Sequence, residues 1–168
     1  MNHSPLLSRR QTLALIAASA AAPLRAQSPA WSAIEARARG QKVYFNAWGG
    51  SDRTNAYIQW AAAEISSRYG VLVEHVKLTD TAEAVKRVRS EKAAGKLTGG
   101  TVDAVWINGE NFLTLKREGL LFGPFAESLP NFQFVDTVGK LTTRMDFSEP
   151  VDGLEAPWGM AQFTLYAD

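Results

Sequence analysis

Three glycine-containing turns hold the residues of this sequence that are best suited to contact a ligand. Two of the turns, at 48–51 and 108–111, lead from an apolar run into a segment with helical spacing, and the third lies at 158–160. Glycine lets a backbone approach a ligand closely, and free N–H groups at a helix start favour a carboxylate, a phosphate or another anion. The ligand-binding candidates are therefore Trp48, Gly49, Gly50, Ser51, Asn108, Gly109, Glu110, Asn111 and Trp158.

Aromatic and acidic residues near the same turns allow a different chemistry. Trp48, Trp106 and Trp158 could form an apolar wall or bind a cation over their ring faces. Asp52, Asp103 and Glu110 could bind cations or amines near strand ends. Either Ser51 or Asp52 can cap the helix that follows the first turn, and capping is the simpler role for Asp52. The sequence leaves the charge of the ligand open, and tight turns beside core tryptophans are the alternative without any ligand.

Motifs for catalysis or for cofactor binding are scarce in this chain. It has no cysteine, and His75, inside a predicted strand, is the one histidine beyond the N-terminal segment, so no thiol or second imidazole can complete a metal site with it. The G-x-S-x-G nucleophile motif, the third glycine of a dinucleotide fingerprint and a G-K-S/T phosphate loop are all missing. We therefore expect a protein that is not an enzyme and that needs neither a cofactor nor a metal ion.

The elements that position the turns follow from hydrophobic periodicity. Lys42 to Trp48 is short, apolar and rich in aromatic and β-branched residues, which predicts a buried strand, and helical spacing follows it up to Gly70. Strands that alternate with helices predict an α/β fold with an open, mostly parallel sheet and flanking helices, in which ligands bind beyond the carboxyl ends of the strands. The predicted strands cover 42–48, 71–78, 102–107 and 161–166. The predicted helices cover 31–39, 52–69, 82–94 and, after the turn 108–111, 112–119. The segment 146–159 is expected to be extended, and 132–145 is ambiguous with a helix as one option.

The N-terminal segment 1–26 is typical of an export signal rather than of a folded element. Arg9 and Arg10 precede an apolar run, 13–22, that is too short to span a bilayer, and small residues follow it. The stretch SRRQTL resembles a twin-arginine signal, but Thr12 stands where a bulky apolar residue is usual, so the Tat and Sec routes both remain open. We expect a periplasmic protein whose mature part is 27–168.

Charge argues against nucleic acid as a partner. The whole chain has a formal net charge of +1, but its three N-terminal arginines belong to the predicted signal, which leaves 15 basic and 17 acidic residues in 27–168. A mature net charge of −2 gives no basic surface for a phosphate backbone. The absence of cysteine also excludes disulfides and a lipid-modified N-terminal cysteine.

Three stretches, VYFNAWGGSDRTNAYIQW, VDAVWINGENF and APWGMAQFTLYAD, resemble the N-terminal lobe of a periplasmic solute-binding protein of an ABC importer, in the YnjB-like branch of the extracellular solute-binding proteins. The resemblance implies a type II-like lobe, one of two α/β lobes that close on a small solute and deliver it to ABC permease subunits in the inner membrane. It places the nine candidate residues on the first lobe's half of the cleft.

The resemblance also implies that 27–168 is a truncated lobe, because FTLYAD is similar to a first hinge strand and no second lobe follows it in this sequence. Half of a cleft cannot enclose a ligand, so we expect weak or absent solute binding and a tendency to self-associate. Two rival hypotheses remain: a small exported α/β enzyme, hydrolase-like, with Asp or Glu at the strand ends as acid or base, and an adaptor domain whose exposed face docks a partner protein.

Overall fold

The computed structural model describes residues 31–159, so the predicted export signal and the predicted strand 161–166 lie outside the described residues. Strands and helices alternate in this part of the chain, as the hydrophobic periodicity predicts. In order, the elements are α1 (Trp31–Ala38), β1 (Lys42–Trp48), α2 (Asp52–Tyr69), β2 (Leu72–Leu78), α3 (Ala82–Ala93), β3 (Ala104–Val105), α4 (Gly109–Arg117), β4 (Met145–Asp146) and β5 (Glu149–Pro150), with 3-10 turns at Ala126–Ser128, Pro130–Phe134 and Leu141–Thr143.

The central sheet has three parallel strands in the order β2–β1–β3. β1 pairs with β2 along its whole length, whereas β3 pairs with β1 only through Ala104 and Val105, opposite Phe45 and Asn46. The α/β class and the parallel sheet are thus confirmed, but β3 is shorter than the predicted 102–107. At its amino end, the Asp103 side chain accepts the N–H of Tyr44 at 2.8 Å, where a longer strand would offer a main-chain carbonyl.

The strand order creates a switch point between β1 and β3. The chain leaves β1 through α2 towards β2, and then returns through α3 to the other side of β1. Right-handed crossovers, the general rule for such units, place α2 and α3 on opposite faces of the sheet, and α4 contacts α3. In open α/β sheets the crevice for a ligand lies at such a switch point, beyond the carboxyl ends of the two strands.

Local capping explains where α2 begins and ends. The Ser51 hydroxyl accepts the N–H of Thr54 at 3.4 Å, and Gly70, in the left-handed region with φ 67°, donates its N–H to the Ser66 carbonyl. Both ends agree with the sequence-based prediction. At the start of α3, the Asp80 carboxylate accepts the Ala82 N–H at 2.7 Å. The buried apolar side chains are Ala47, Ile58, Val71, Leu78, Ala84, Val85, Phe112, Leu115, Ala126 and Val151.

The segment 132–145 contains short 3-10 turns instead of the helix that was one option for it. Pro130 starts the first 3-10 turn, and the Asp136 carboxylate then accepts the Gly139 N–H at 2.7 Å, which closes a tight turn. The predicted extended segment includes the antiparallel hairpin β4–β5. Within 31–159, no helix combines the length and the apolar character needed to cross a membrane.

Candidate functional site

The turn after β1 is shaped by two glycines that cannot carry a side chain in place. A Cβ on Gly49 would lie 2.7 Å from Cβ of Lys77, and a Cβ on Gly50 would lie 2.2 Å from Cζ2 of Trp48. The Trp48 indole therefore folds onto Gly50, and it remains 49% exposed. An open cavity of about 240 Å³ beside this turn is lined by Trp48, Gly49, Gly50, Lys77, Leu78 and Thr79.

The turn after β3 leads into α4, and one N–H group at this helix start is bonded within the chain. Gly109, with φ 61°, donates its N–H to Oδ2 of Asp146 at 2.8 Å. The chain thus supplies its own carboxylate to this N–H group. Asn108 and Glu110 are exposed and Asn111 is half-buried, and the Asn108 side chain makes no capping hydrogen bond.

The hairpin β4–β5 brings Asp146 to this position, and no sequence signal pointed to it. Its two-residue turn, Phe147 and Ser148, has φ 47° and 64°, a conformation for which Asn and Gly are the usual residues. The hairpin is tied to α4 by an ion pair between Arg117 and Glu149 at 2.9 Å. Phe147, 58% exposed, lies beside Gly109, since a Cβ on that glycine would be 3.8 Å from its ring.

Four aromatic rings gather where β3 ends, and together they form what we call the aromatic cluster: Tyr57, Trp60, Trp106 and Trp158. The centroids of Trp106 and Trp158 are 4.9 Å apart in an edge-to-face arrangement, and Tyr57 lies 5.1 Å from Trp158 and 5.6 Å from Trp60. Trp158 and Trp60 are each 58% exposed. Of the three tryptophans predicted near the turns, Trp106 and Trp158 are thus in contact, whereas Trp48 packs against Gly50 of its own turn.

Sequence reasoning missed Tyr57 and Trp60 as members of the site. Both residues lie in the predicted helix 52–69, and Tyr57 is 44% exposed whereas its neighbour Ile58 is buried. The three-residue spacing of Tyr57 and Trp60 puts the two rings side by side on one helix surface. This pair of neighbouring rings was the sequence signal that could have indicated a site on α2, although the contact of Tyr57 with Trp158 depends on the tertiary fold.

One carboxyl group near the α4 start has an unusual protonation equilibrium. Burial, and to a smaller extent the Asp146 carboxylate, raise the pKa of Glu155 to about 7. Its Oε2 is buried and has no hydrogen-bond partner among the described residues. The charge of Glu155 therefore changes near neutral pH.

Polar residues next to the β1 turn have structural roles. Asn55 donates from Nδ2 to the Gly49 carbonyl at 2.9 Å and so ties α2 to the turn. Nε2 of His75 lies 3.2 Å from the Ala47 carbonyl, in keeping with a structural rather than a metal-binding role. Asp103 directly precedes β3 and so lies at the amino ends of the strands, whereas the glycine turns follow their carboxyl ends. Across 31–159, no group of three or more His, Cys, Asp or Glu side chains could hold a metal ion.

The chain is similar to one curated protein in particular. It is 50% identical over 137 residues to Protein YnjB of Escherichia coli (strain K12), a match that covers 82% of this chain and 35% of that relative. The chain therefore spans about a third of the relative's length, and the relative's name describes no activity. No protein-family model matches the chain. No solved structure matches it either.

Proposed function

We propose that this chain is one lobe, of type II-like architecture, of a non-enzymatic solute-binding protein of an ABC importer. The observation that carries the proposal is the switch point between β1 and β3, where a glycine turn follows the carboxyl end of each strand and half-exposed rings gather at the end of β3. The greater length of the related E. coli protein is compatible with a second lobe. The proposed partners are a small solute and the permease subunits in the inner membrane.

The proposed mechanism is closure of two lobes over a solute. Contacts from both lobes stabilise the closed state, so the solute shifts the population towards it. On this lobe, Gly49 and Gly50 allow close approach of the backbone, while the aromatic cluster offers apolar surface that closure would remove from water. The same surface is left open when this lobe is alone, and we therefore expect only weak solute binding by the isolated chain.

The proposed location is the periplasm, after cleavage of the export signal near residue 26. N-terminal sequencing of the protein recovered from the periplasmic fraction tests this directly. A chain that starts at or near Gln27 is expected. Recovery of the chain with residues 1–26 intact, and only from the cytoplasmic fraction, would contradict the proposed location.

Saturation-transfer-difference NMR of the purified chain tests the binding function, because the method detects millimolar affinities. Mixtures of amino acids, amines, sugars and oxyanions are screened, and one solute class is expected to give signals without chemical change. The variant Asn108→Trp fills the switch-point crevice and should abolish the signal. The matched control, Leu97→Trp, places the same ring on an exposed loop before β3 and should leave the signal unchanged.

Other outcomes would support the rival hypotheses. Conversion of a solute during the NMR experiment would indicate a hydrolase-like enzyme instead. If no solute binds, and if the coding frame stops after the Asp168 codon with no permease or ATPase genes beside it, the solute-binding proposal fails. A frame that continues into a second α/β lobe next to such genes would support it.

A further inference from the structure

The charge of the solute, which the sequence leaves open, can be addressed from the aromatic cluster. Trp158 stands at its centre, with the ring of Trp106 inclined to it by 69° and the ring of Tyr57 inclined by 56°. Rings at such angles form a corner with two or three differently oriented faces instead of a flat stack. More than half of the Trp158 surface remains open to solvent, so the corner is accessible.

Aromatic faces inclined in this way suit an ammonium group. A cation interacts favourably with an aromatic face when it lies within about 6 Å of the ring centroid, and tryptophan is the strongest of the aromatic partners. Because the centroids here are 4.9 and 5.1 Å apart, a cation placed on one ring can also lie within reach of a second. A methylated ammonium would fill the corner better than NH₄⁺, since its methyl groups also bury apolar surface.

At each helix start next to the switch point, one N–H group that an anion could use is already bonded within the chain. At the start of α2, the Ser51 hydroxyl accepts the Thr54 N–H, and at the start of α4 the Asp146 carboxylate accepts the Gly109 N–H. The second of these also adds a negative charge that a ligand anion would have to displace. A positively charged side chain, Arg53, lies one helical turn before Tyr57 on α2. Its replacement therefore tests the sign of the ligand's charge.

We propose that Tyr57, Trp106 and Trp158 recognise an organic cation, an ammonium or quaternary ammonium group carried by a small solute. This inference rests on the proposed solute-binding function and specifies its substrate class. The rings bind the cationic group, and the remainder of the solute extends along the switch point towards the Gly49–Gly50 turn.

The probes for the experiment are tetramethylammonium and choline, titrated into the chain at constant ionic strength and followed by NMR. Methyl protons that sit over ring faces move upfield, a signature that a merely structural role of the rings would not produce. The neutral isostere 3,3-dimethylbutan-1-ol has the shape of choline without its charge and is expected to bind at least about threefold more weakly.

Variants of the chain make the test specific. Trp158→Leu removes a half-exposed ring and should weaken choline binding about 3- to 30-fold. Trp31→Leu, in α1 beside the amino ends of the strands, is the matched control and should have no effect. Arg53→Gln removes a like charge and should tighten choline binding about 2- to 5-fold, whereas it would weaken the binding of an anion.

Each result has a defined meaning. Equal binding of choline and its neutral isostere, or unchanged choline binding in Trp158→Leu, would overturn the cation proposal. The screen could instead find another solute whose NMR signal is lost in the variant Asn108→Trp, while choline does not bind. In that case the cation inference fails and the solute-binding function stands. If no solute of any class binds and the coding frame stops after the Asp168 codon with no transporter genes beside it, both fail together.

Discussion

The Asp146 carboxylate accepts the main-chain N–H of Gly109 at 2.8 Å, so that a hairpin residue provides the anion at the start of α4. The two residues are 37 positions apart in the chain, and their contact fixes the hairpin β4–β5 against the helix that follows the switch point. The helix dipole and the exposed hairpin tip are therefore coupled through one hydrogen bond.

Replacing this carboxylate should destabilise the fold. Asp146→Asn keeps the shape but removes the charge that interacts with the α4 dipole, and we expect it to lower the free energy of unfolding by about 0.5–2 kcal/mol. Urea denaturation at pH 5.5 measures the change under conditions in which Glu155 is mostly protonated. Asp136→Asn is the control, because the Asp136 carboxylate accepts the Gly139 N–H in a turn away from any α-helix start. It should lower the free energy of unfolding by a smaller amount. Equal losses in the two variants would show that the dipole contributes nothing.

The raised pKa of Glu155 predicts a stability penalty that grows with pH. Burial, and secondarily Asp146, raise this pKa from 4.5 in the unfolded chain to about 7 in the folded protein. Below pH 4.5 the Glu155 carboxyl is protonated in both the folded and the unfolded state, so no penalty exists. Between pH 4.5 and 7 it is deprotonated in the unfolded state but still protonated in the folded state, so the free energy of unfolding falls as the pH rises. Above pH 7 the penalty is complete.

Glu155→Gln removes this pH dependence. Relative to the wild type, the variant should gain about 1–2 kcal/mol between pH 4.5 and pH 8, an amount that allows for solvent screening of a partly exposed carboxyl. Urea denaturation at pH 4.5 and pH 8 measures the free energy of unfolding of both proteins. Any effect of the substitution that does not depend on pH cancels when the two pH values are compared. Glu127→Gln, on an exposed 3-10 turn, should follow the wild type. Parallel curves for Glu155→Gln and wild type would contradict the raised pKa.

The first half of the fold could be predicted because its signals are local. The apolar run of β1, the Ser51 cap and the Gly70 stop each depend on neighbouring residues, and all three occur as expected. The hairpin β4–β5 could not be predicted, because Phe147 and Ser148 adopt positive φ values that neither residue type favours. The pairing of β4 with β5 and the contacts with α4 hold that turn.

The candidate site was predictable to a similar extent. The two glycine turns were found because glycine marks a chain reversal in any context. The occupation of the α4 start by Asp146 and the meeting of Tyr57 with Trp158 join residues that are distant in the sequence. Such pairings follow from tertiary packing, which hydrophobic periodicity does not describe.

A buried polar contact between β1 and α3 should be costly to break. Asn46 is fully buried, and its Oδ1 accepts a hydrogen bond from Arg87 at 3.1 Å. Arg87→Met keeps an apolar stem but leaves that oxygen without its donor, which we expect to cost about 1–3 kcal/mol in the free energy of unfolding. Arg89→Met on the same helix breaks only an exposed ion pair with Glu118 and should cost less than about 1 kcal/mol. Similar costs for both variants, measured by urea denaturation, would contradict the special role of Arg87.

The packing of Trp48 on Gly50 gives a test at the site itself. Gly50→Ala places a Cβ 2.2 Å from Cζ2 of Trp48, so the indole must leave its position and become more exposed. We expect a red-shifted tryptophan emission and a loss of about 1–3 kcal/mol in the free energy of unfolding. The added cost should vanish in the background Trp48→Leu, because the clash requires the indole, and this rescue separates it from a general effect of alanine in the turn. Gly159→Ala, where a Cβ meets no atom within 4 Å, is the control and should leave both emission and stability unchanged. A Gly50→Ala cost that persists without the indole would show that the glycine is needed for the backbone of the turn and not for the position of Trp48.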